Sequence, residues 1–379
     1  MGVQLEALQA NEGDCLLLHY GAGAQAGRIL IDGGSRGVYT EVLKKRLEAL
    51  RGAAPRLDLR LVMVSHIDAD HITGILDLCK DLAEKQADGQ APRYRIRSLW
   101  HNSFEKLASH SAATESALVG AALGGAAPAG LDREVAAVVA SVKQGNDLRG
   151  FARKLTVINA ETNSELVTAP ANGKKVIPID AGLTFTVIGP HQAELASLET
   201  SWTEAKKTGG PNEESVAADY LNRTVPNLSS IVVLAESPRP RGAPTRLLLT
   251  GDAGGDLILK GLETAGLLDH DGKIHVDLLK VQHHGSNHSV DIEFFRRMTA
   301  SHYMISGNGK HGIPHGDTLA WLSEARSDRA YDVYMTNRGG EPELTGMLDA
   351  FLSKEATAQP KHRYHFRADQ ALSITVNLT

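Results

Sequence analysis

The sequence predicts an α/β protein in which a pair of sheets is flanked by helices and polar chemistry gathers along one edge. Three observations carry that expectation. Short apolar segments open the chain as a meander of strands, and helix-periodic segments come after them. Later segments repeat one arrangement: a strand, a loop rich in Gly, His or Asp, then a helix. The tips of these loops carry the same residue types each time: His66 to His71, Asp252, His283 with His284, and His315.

Taken in order, Val3 to Ala10 and Cys15 to Tyr20 read as strands joined by the turn Asn11-Glu12-Gly13-Asp14. Arg28 to Ile31 is a third strand and ends in Asp32-Gly33-Gly34-Ser35, where glycine lets the backbone turn tightly. Thr40 to Arg51 reads as an amphipathic helix. Leu57 to Val64 is apolar and β-branched, the pattern of one buried strand. Beyond it Ile72, Ile75, Leu76, Leu78 and Cys79 recur at helical spacing, so a helix is expected from about Ile72 to Lys85. Tyr94 to Trp100 is a strand ending at His101-Asn102.

Residues 109–130 are rich in Ala and Gly, and 201–215 are the most linker-like of the chain. They suggest a single domain over 1–379 with a helical and loop insertion at about 109–224. Helical periodicity runs from Asp132 to Lys143 and again from Gly145 to Lys154. Strands are expected at 183–188, 230–235, 246–250, 276–282, 302–306, 331–336 and 372–378, with helices at 256–265, 291–298 and 318–324.

With 42% hydrophobic and 22% charged residues, the 379-residue chain has the make-up of a globular protein with a substantial core. Its net charge of −5 supplies no global field for nucleic acid, so such a partner needs a local patch. Arg93, Arg95 and Arg97 alternate on a strand and, like Arg239 with Arg241 and Arg296 with Arg297, are candidates for meeting phosphates. Cys15 and Cys79 alone make no disulfide framework. No leader-like start and no bilayer-length apolar run are visible, so no membrane partner and a cytoplasmic location are expected.

Chemistry concentrates in Val64-Ser65-His66-Ile67-Asp68-Ala69-Asp70-His71-Ile72, a strand-to-helix turn. Capping that helix needs one Asp, and here are two, with two His. Carboxylates so crowded repel unless positive charge sits between them, and a divalent ion is the simplest source. Imidazole mixed with carboxylate suits Zn²⁺ or Mn²⁺ in a catalytic setting, whereas structural zinc favours thiolates in closed sites.

These residues resemble the metallo-β-lactamase superfamily motif His-x-His-x-Asp-His, with Asp68 in place of the second His. That departure is similar to the branch containing the metallo-β-lactamase-like domain of the ComEC-type DNA-uptake protein. Gly13-Asp14-Cys15-Leu16, Ile29 to Gly34, Asn227 to Val233, Leu248 to Ala253, Leu279 to Ser286 and the segment from Ser306 to His315 follow in family order. The resemblance implies an αββα four-layer sandwich. It implies one ion held by His66 and Asp68, and a second held by Asp70, His71 and one of the His283-His284 pair, with Asp252 bridging. His283 is the favoured ligand of that pair, and His284 then faces substrate. His101 is a candidate to complete the first site, and one or two ions of Zn²⁺ or Mn²⁺ are expected.

The implied reaction is metal-assisted hydrolysis by a metal-bound hydroxide, with Asp70 orienting it and His284 or His315 stabilising charge or donating a proton. Asn227, Ser286 and His315 are the expected substrate contacts. The expected substrate is a phosphoric ester, foremost a phosphodiester of nucleic-acid or nucleotide type. Rival readings are other esters (phosphocholine-type, carboxylic ester or lactam) and a metal-stabilised binding or regulatory module without turnover.

Overall fold

The computed structural model describes residues 2–102, 133–155, 157–162, 166–195, 228–358 and 361–378. Strands β1 (Val3–Leu8), β2 (Leu16–Tyr20) and β3 (Gly27–Ile31) form the expected antiparallel meander. The apolar run at 57–64 is not one strand. It breaks at Arg60 into β4 (Leu57–Leu59) and β5 (Leu61–Met63), and the run at 94–100 likewise divides into β6 (Tyr94–Ile96) and β7 (Ser98–Trp100). β4 pairs with β6 in a ladder of their own, while β5, β7 and β8 (Val157–Ile158) extend the meander in parallel.

The second sheet begins as antiparallel β9 (Val176–Asp180), β10 (Leu183–Gly189), β11 (Val232–Ser237) and β12 (Thr245–Leu249). It continues in parallel through β13 (Ile274–Lys280), β14 (Met298–Ile305), β15 (Tyr331–Met335) and β16 (His362–Phe366). β17 (Ser373–Leu378) returns to the first sheet beside β1, giving sheets of seven and eight strands among the described residues.

Alternate side chains of both sheets meet in one apolar layer, where Leu18, Met63 and Trp100 face Phe185, Val187 and Leu247. The Trp100 and Phe185 rings pack edge to face at 5.8 Å. α1 (Lys44–Arg51), α2 (Ala69–Ala87) and α3 (Arg133–Leu155) cover the first sheet, burying Leu47, Ile72, Ile75, Leu78, Leu148 and Ala152 against Leu17 and Leu30. α4 (Gly255–Thr264), α5 (Ile292–Arg297), α6 (Gly316–Ala325) and α7 (Pro342–Ala358) cover the second, through residues such as Ile258, Phe294, Leu319 and Leu348. The four layers are α, β, β, α, as expected.

The span 109–224 differs from the insertion expected there. α3, β8, β9 and β10 lie within it and belong to the body of the fold, with Phe185 and Val187 buried between the sheets. Periodicity marks α3 and β10 but not β8 or β9: β9 alternates exposed and buried over only five residues, two of them Asp and Pro. The Ala/Gly-rich 109–130 and linker-like 201–215 lie outside the described residues. Among the described residues no helix is long and apolar enough to cross a membrane.

Candidate metal centre

In open α/β sheets, ligands sit beyond the carboxyl ends of parallel strands, and the side chains gathered here follow that rule. β3 delivers Asp32, β5 delivers Ser65 and His66, β12 delivers Asp252, and β13 delivers His283 and His284. Main-chain bonds stitch the loops together: Ile231 N–H to Ser65 O at 2.8 Å and His283 N–H to Gly251 O at 3.1 Å. α2 starts at Ala69, three residues earlier than expected, so Asp70 and His71 occupy its first turn. Asp68 stands at the N-cap, yet its side chain makes no capping bond; its carboxylate lies 3.6 Å from His66 Nε2 instead. Close backbone approach fixes this turn. A Cβ on Gly33 would fall 2.3 Å from Ile75 N, and one on Gly13 would fall 1.8 Å from Asp70 O.

Asp252 is the hub, buried at 2% exposure. Its Oδ2 lies 3.6 Å from His66 Nε2 and 3.7 Å from His283 Nε2. Its Oδ1 lies 3.4 Å from His71 Nε2 and 3.6 Å from His284 Nε2. Asp70 Oδ2 joins the second group, 3.7 Å from His71 Nε2 and 3.4 Å from His284 Nε2. Of the pair left open in the sequence, His284 stands with Asp70 and His71 about Asp252 Oδ1, while His283, the favoured one, shares Oδ2 with His66. His283 and His284 each take a left-handed backbone, φ 47° and 53°, and both present Nε2 to Asp252.

Each imidazole is braced on its other nitrogen. Asp32 Oδ2 accepts from His71 Nδ1 at 2.9 Å, and the same carboxylate accepts from Ser65 N–H and Oγ at 2.7 Å. Ser65 and Ser230 hydroxyls lie 3.1 and 3.3 Å from His66 Nδ1. Ser289 Oγ is 2.7 Å from His283 Nδ1. Asp14 also belongs to the buried Asp/His cluster, together with His71, Asp252 and His284. It stands on the Nδ1 side of His284, 3.6 Å away, and pairs with Lys280 at 2.7 Å. An ion touching His284 Nε2 and Asp252 therefore has Asp14 behind an imidazole.

Burial alone would lower the pKa of His71, but Asp252, Asp70 and Asp32 outweigh it and hold that imidazole well above its ordinary value. Burial also opposes charge on His284, which Asp252 and Asp14 bring up to about 9. Burial would raise Asp252 and Asp70, yet the imidazoles, His71 first, hold both carboxyls well below the carboxylate range. His283 goes the other way: burial dominates and its pKa falls.

The donor set fits a divalent ion. His66 Nε2 and Asp252 Oδ1 are buried with no hydrogen-bond partner among the described residues. His71 and His284 turn Nε2 toward Nε2 at 3.1 Å. Since the Asp32 carboxylate only accepts, His71 keeps its proton on Nδ1 and aims a lone pair inward. Zinc bonds of about 2.0–2.2 Å at a tetrahedral angle put ligand atoms roughly 3.3 Å apart, close to the separations found here.

No family model matches the chain. It is similar to the human microtubule-associated protein 1A, 28% identical over 123 residues, which is 31% of this chain. The mouse protein of that name matches at 31% over 109 residues, 26% of this chain. The chain spans about 4% of the length of these curated relatives. Among solved structures, the metallo-beta-lactamase fold protein YhfI from Bacillus subtilis aligns over 100% of both chains, with 9% identity and a TM-score of 0.41.

The other expected site residues fall less centrally. His101 is buried beside Gly145 of α3 and Ile67, and burial lowers its pKa to about 4; its backbone pairs with the Asn159 amide. Ser286 is buried, and its hydroxyl accepts from His288 N–H within the 283–289 turn. His315 precedes α6 and is tied by its N–H to Gly285 O, while its Nδ1 accepts from Asn287 N–H at 3.2 Å. Asn227 lies outside the described residues. Asp14, Asp32 and Lys280 went unassigned in the sequence. The Gly-Asp and Asp-Gly-Gly turns were the available signal for the first two, and a lone Lys closing an apolar strand for the third.

Proposed function

We propose that the chain is a divalent-metal-dependent hydrolase of the metallo-β-lactamase type, acting on phosphodiesters of nucleotide size, with Zn²⁺ or Mn²⁺ as cofactor. The observation that carries this is Asp252, whose two carboxylate oxygens face two separate groups of imidazole and carboxylate. One ion is assigned to His66, Asp68, Asp252 and His283, the other to Asp70, His71, Asp252 and His284. Bound there, the ions supply Lewis-acid stabilisation of developing charge and a water acidic enough to ionise near pH 7.

The chain's own residues do the rest. α2 begins among the cluster residues, and its positive N-terminal end favours an anionic phosphoryl group there. His284 is spent on the cluster, which leaves His315 to stabilise the charge that develops on the substrate. Burial and the neighbouring His288 lower its pKa, so it is neutral at pH 7. Because its Nδ1 accepts the Asn287 N–H, the ring proton sits on Nε2, where it would donate a hydrogen bond to a developing oxyanion.

The charge around the cluster favours a small substrate. Four of the seven arginines available for a phosphate track face carboxylates: Arg93 with Glu48, Arg97 with Asp58, Arg239 with Asp277, Arg296 with Glu293. A groove of about 750 Å³ beside the cluster carries Lys260 and Arg297 against Asp256, Glu263, Asp291 and Glu293. Neither surface offers the net positive field that a long polyanion needs. The test is elemental analysis, then hydrolysis of a chromogenic phosphodiester and a panel of cyclic nucleotides, dinucleotides, DNA and RNA. Chelator-sensitive turnover of the small diesters is expected. Full metal loading with no turnover of any ester or lactam would leave a binding module instead.

A further inference from the structure

Lys280 is an unexpected residue to find at 1% exposure, and so is its partner Asp14, also at 1%. A buried ion pair is a weak source of stability, because apolar side chains of similar volume often serve as well. What distinguishes this pair is what it leads to. Lys280 closes β13, Asp14 sits in the turn between β1 and β2, and Ser306 follows β14. Between them these three link the two sheets directly behind His284.

Each member has one chemical option. Lys280 only donates, to an Asp14 oxygen at 2.7 Å and to Val281 O at 3.0 Å. An ionised Asp14 only accepts, so the Ser306 hydroxyl donates its proton to Asp14 Oδ1. The lone pairs of Ser306 Oγ then face His284 Nδ1 at 3.4 Å, with Asp14 Oδ1 itself 3.6 Å from that nitrogen. An imidazole nitrogen facing two acceptors carries the proton. We infer that Lys280, Asp14 and Ser306 form a positioning relay that fixes the His284 proton on Nδ1 and turns its Nε2 lone pair to the metal. The inference rests on the metal-centre reading proposed above. None of the three touches substrate; they act through His284, as outer partners of metal-bound histidines do.

The test has a readout that a merely structural pair would not move. Proton–nitrogen correlation spectra of the imidazoles in the zinc-loaded wild-type protein, assigned with His284→Gln, are expected to show the His284 proton on Nδ1. A proton on Nε2 overturns the inference. Zinc affinity by chelator competition is the second measurement, on Ser306→Ala and on the apolar double replacement Asp14→Leu with Lys280→Met. Affinity is expected to fall by about 10–100-fold in both. Wild-type affinity in both folded variants overturns the inference while leaving the metal centre intact. Should the double replacement not fold, Ser306→Ala and the wild-type spectrum decide. A wild-type protein that takes up no zinc overturns the metal centre, and the relay with it.

Discussion

The two groups that share Asp252 differ in how they are held. On one side, His71 and His284 are 0% and 4% exposed, and their outer nitrogens face carboxylates, Asp32 directly and Asp14 with Ser306. On the other side His66 is as buried as His71 and the carboxylates Asp68 and Asp70 are similarly open, at 33% and 26%, but His283 is 23% exposed and the imidazoles are braced by the hydroxyls of Ser65, Ser230 and Ser289. Carboxylate bracing raises the basicity of an imidazole and fixes its ring, whereas a neutral hydroxyl raises it less, even where, as at Ser65, its own proton is committed to Asp32. One half is therefore preorganised for a firmly held ion, and the other for a weaker one that exchanges. Two ions sharing Asp252 would then be expected to bind with unequal affinity, the inequality set by groups behind the imidazoles.

The largest effect is expected at the shared residue. Asp252→Ala removes a ligand from both halves, and turnover should fall roughly 10³-fold, the scale of the several kcal/mol of charge stabilisation a metal supplies. Elemental analysis should find both ions depleted. A variant that keeps one tight ion would break the comparison, because the halves would then be independent. Next come single-side losses: His71→Ala should empty the firm half, while His283→Ala should leave one ion bound with activity down by about 10–100-fold. Equal depletion in the two variants would mean that the carboxylate bracing confers no preference.

Acidity gives a third contrast, read on the chelated protein. His284 is raised to about 9, with His71 also raised, above an unfolded value near 6.5. A raised imidazole contributes stability that is present below the unfolded pKa and lost as pH climbs through the folded one. The melting temperature of metal-free protein should thus decline between about pH 6.5 and pH 9. His283, with its pKa lowered by burial, works oppositely: its contribution is present above the unfolded value and fades as pH falls below it. Metal-loaded protein should lose the alkaline decline, because the ion replaces the protons. Melting curves across pH, with and without chelator, check both arms.

Much of this was legible before any geometry. The succession of strands and helices, a pair of sheets flanked by helices, and the loops bearing His66 to His71, Asp252 and His283-His284 follow from periodicity and loop composition, because apolar alternation marks what must be buried, while the four-layer sandwich was what the resemblance implied. Legibility fails where side-chain direction matters. Nothing in two adjacent histidines signals that both adopt positive φ and point into different halves, since that backbone usually advertises itself with glycine. The bracing groups Asp14, Asp32 and Lys280 were equally opaque, for their roles depend on which strand end lies opposite, a long-range fact. The C-terminal α7 and β16 escaped for a simpler reason: α7 buries only a few residues, Leu344 and Leu348 among them, so its stripe is thin.

The smallest predicted effect probes the weaker half alone. Ser289 Oγ contacts His283 Nδ1 at 2.7 Å, the closest hydroxyl brace in the cluster. Ser289→Ala removes that contact without touching a candidate ligand, so His283 keeps its nitrogen but loses a restraint on its ring. Outer-partner losses fall at about 10–100-fold in metal affinity, and a neutral hydroxyl on a partly exposed ring belongs at the lower end. The weaker ion should therefore loosen by about tenfold and the tighter one not at all. Two-step zinc titration resolves them: only the second step should shift. A shift of the first step instead would show that His283 serves the firm half after all, and the division of the cluster at Asp252 would have to be redrawn.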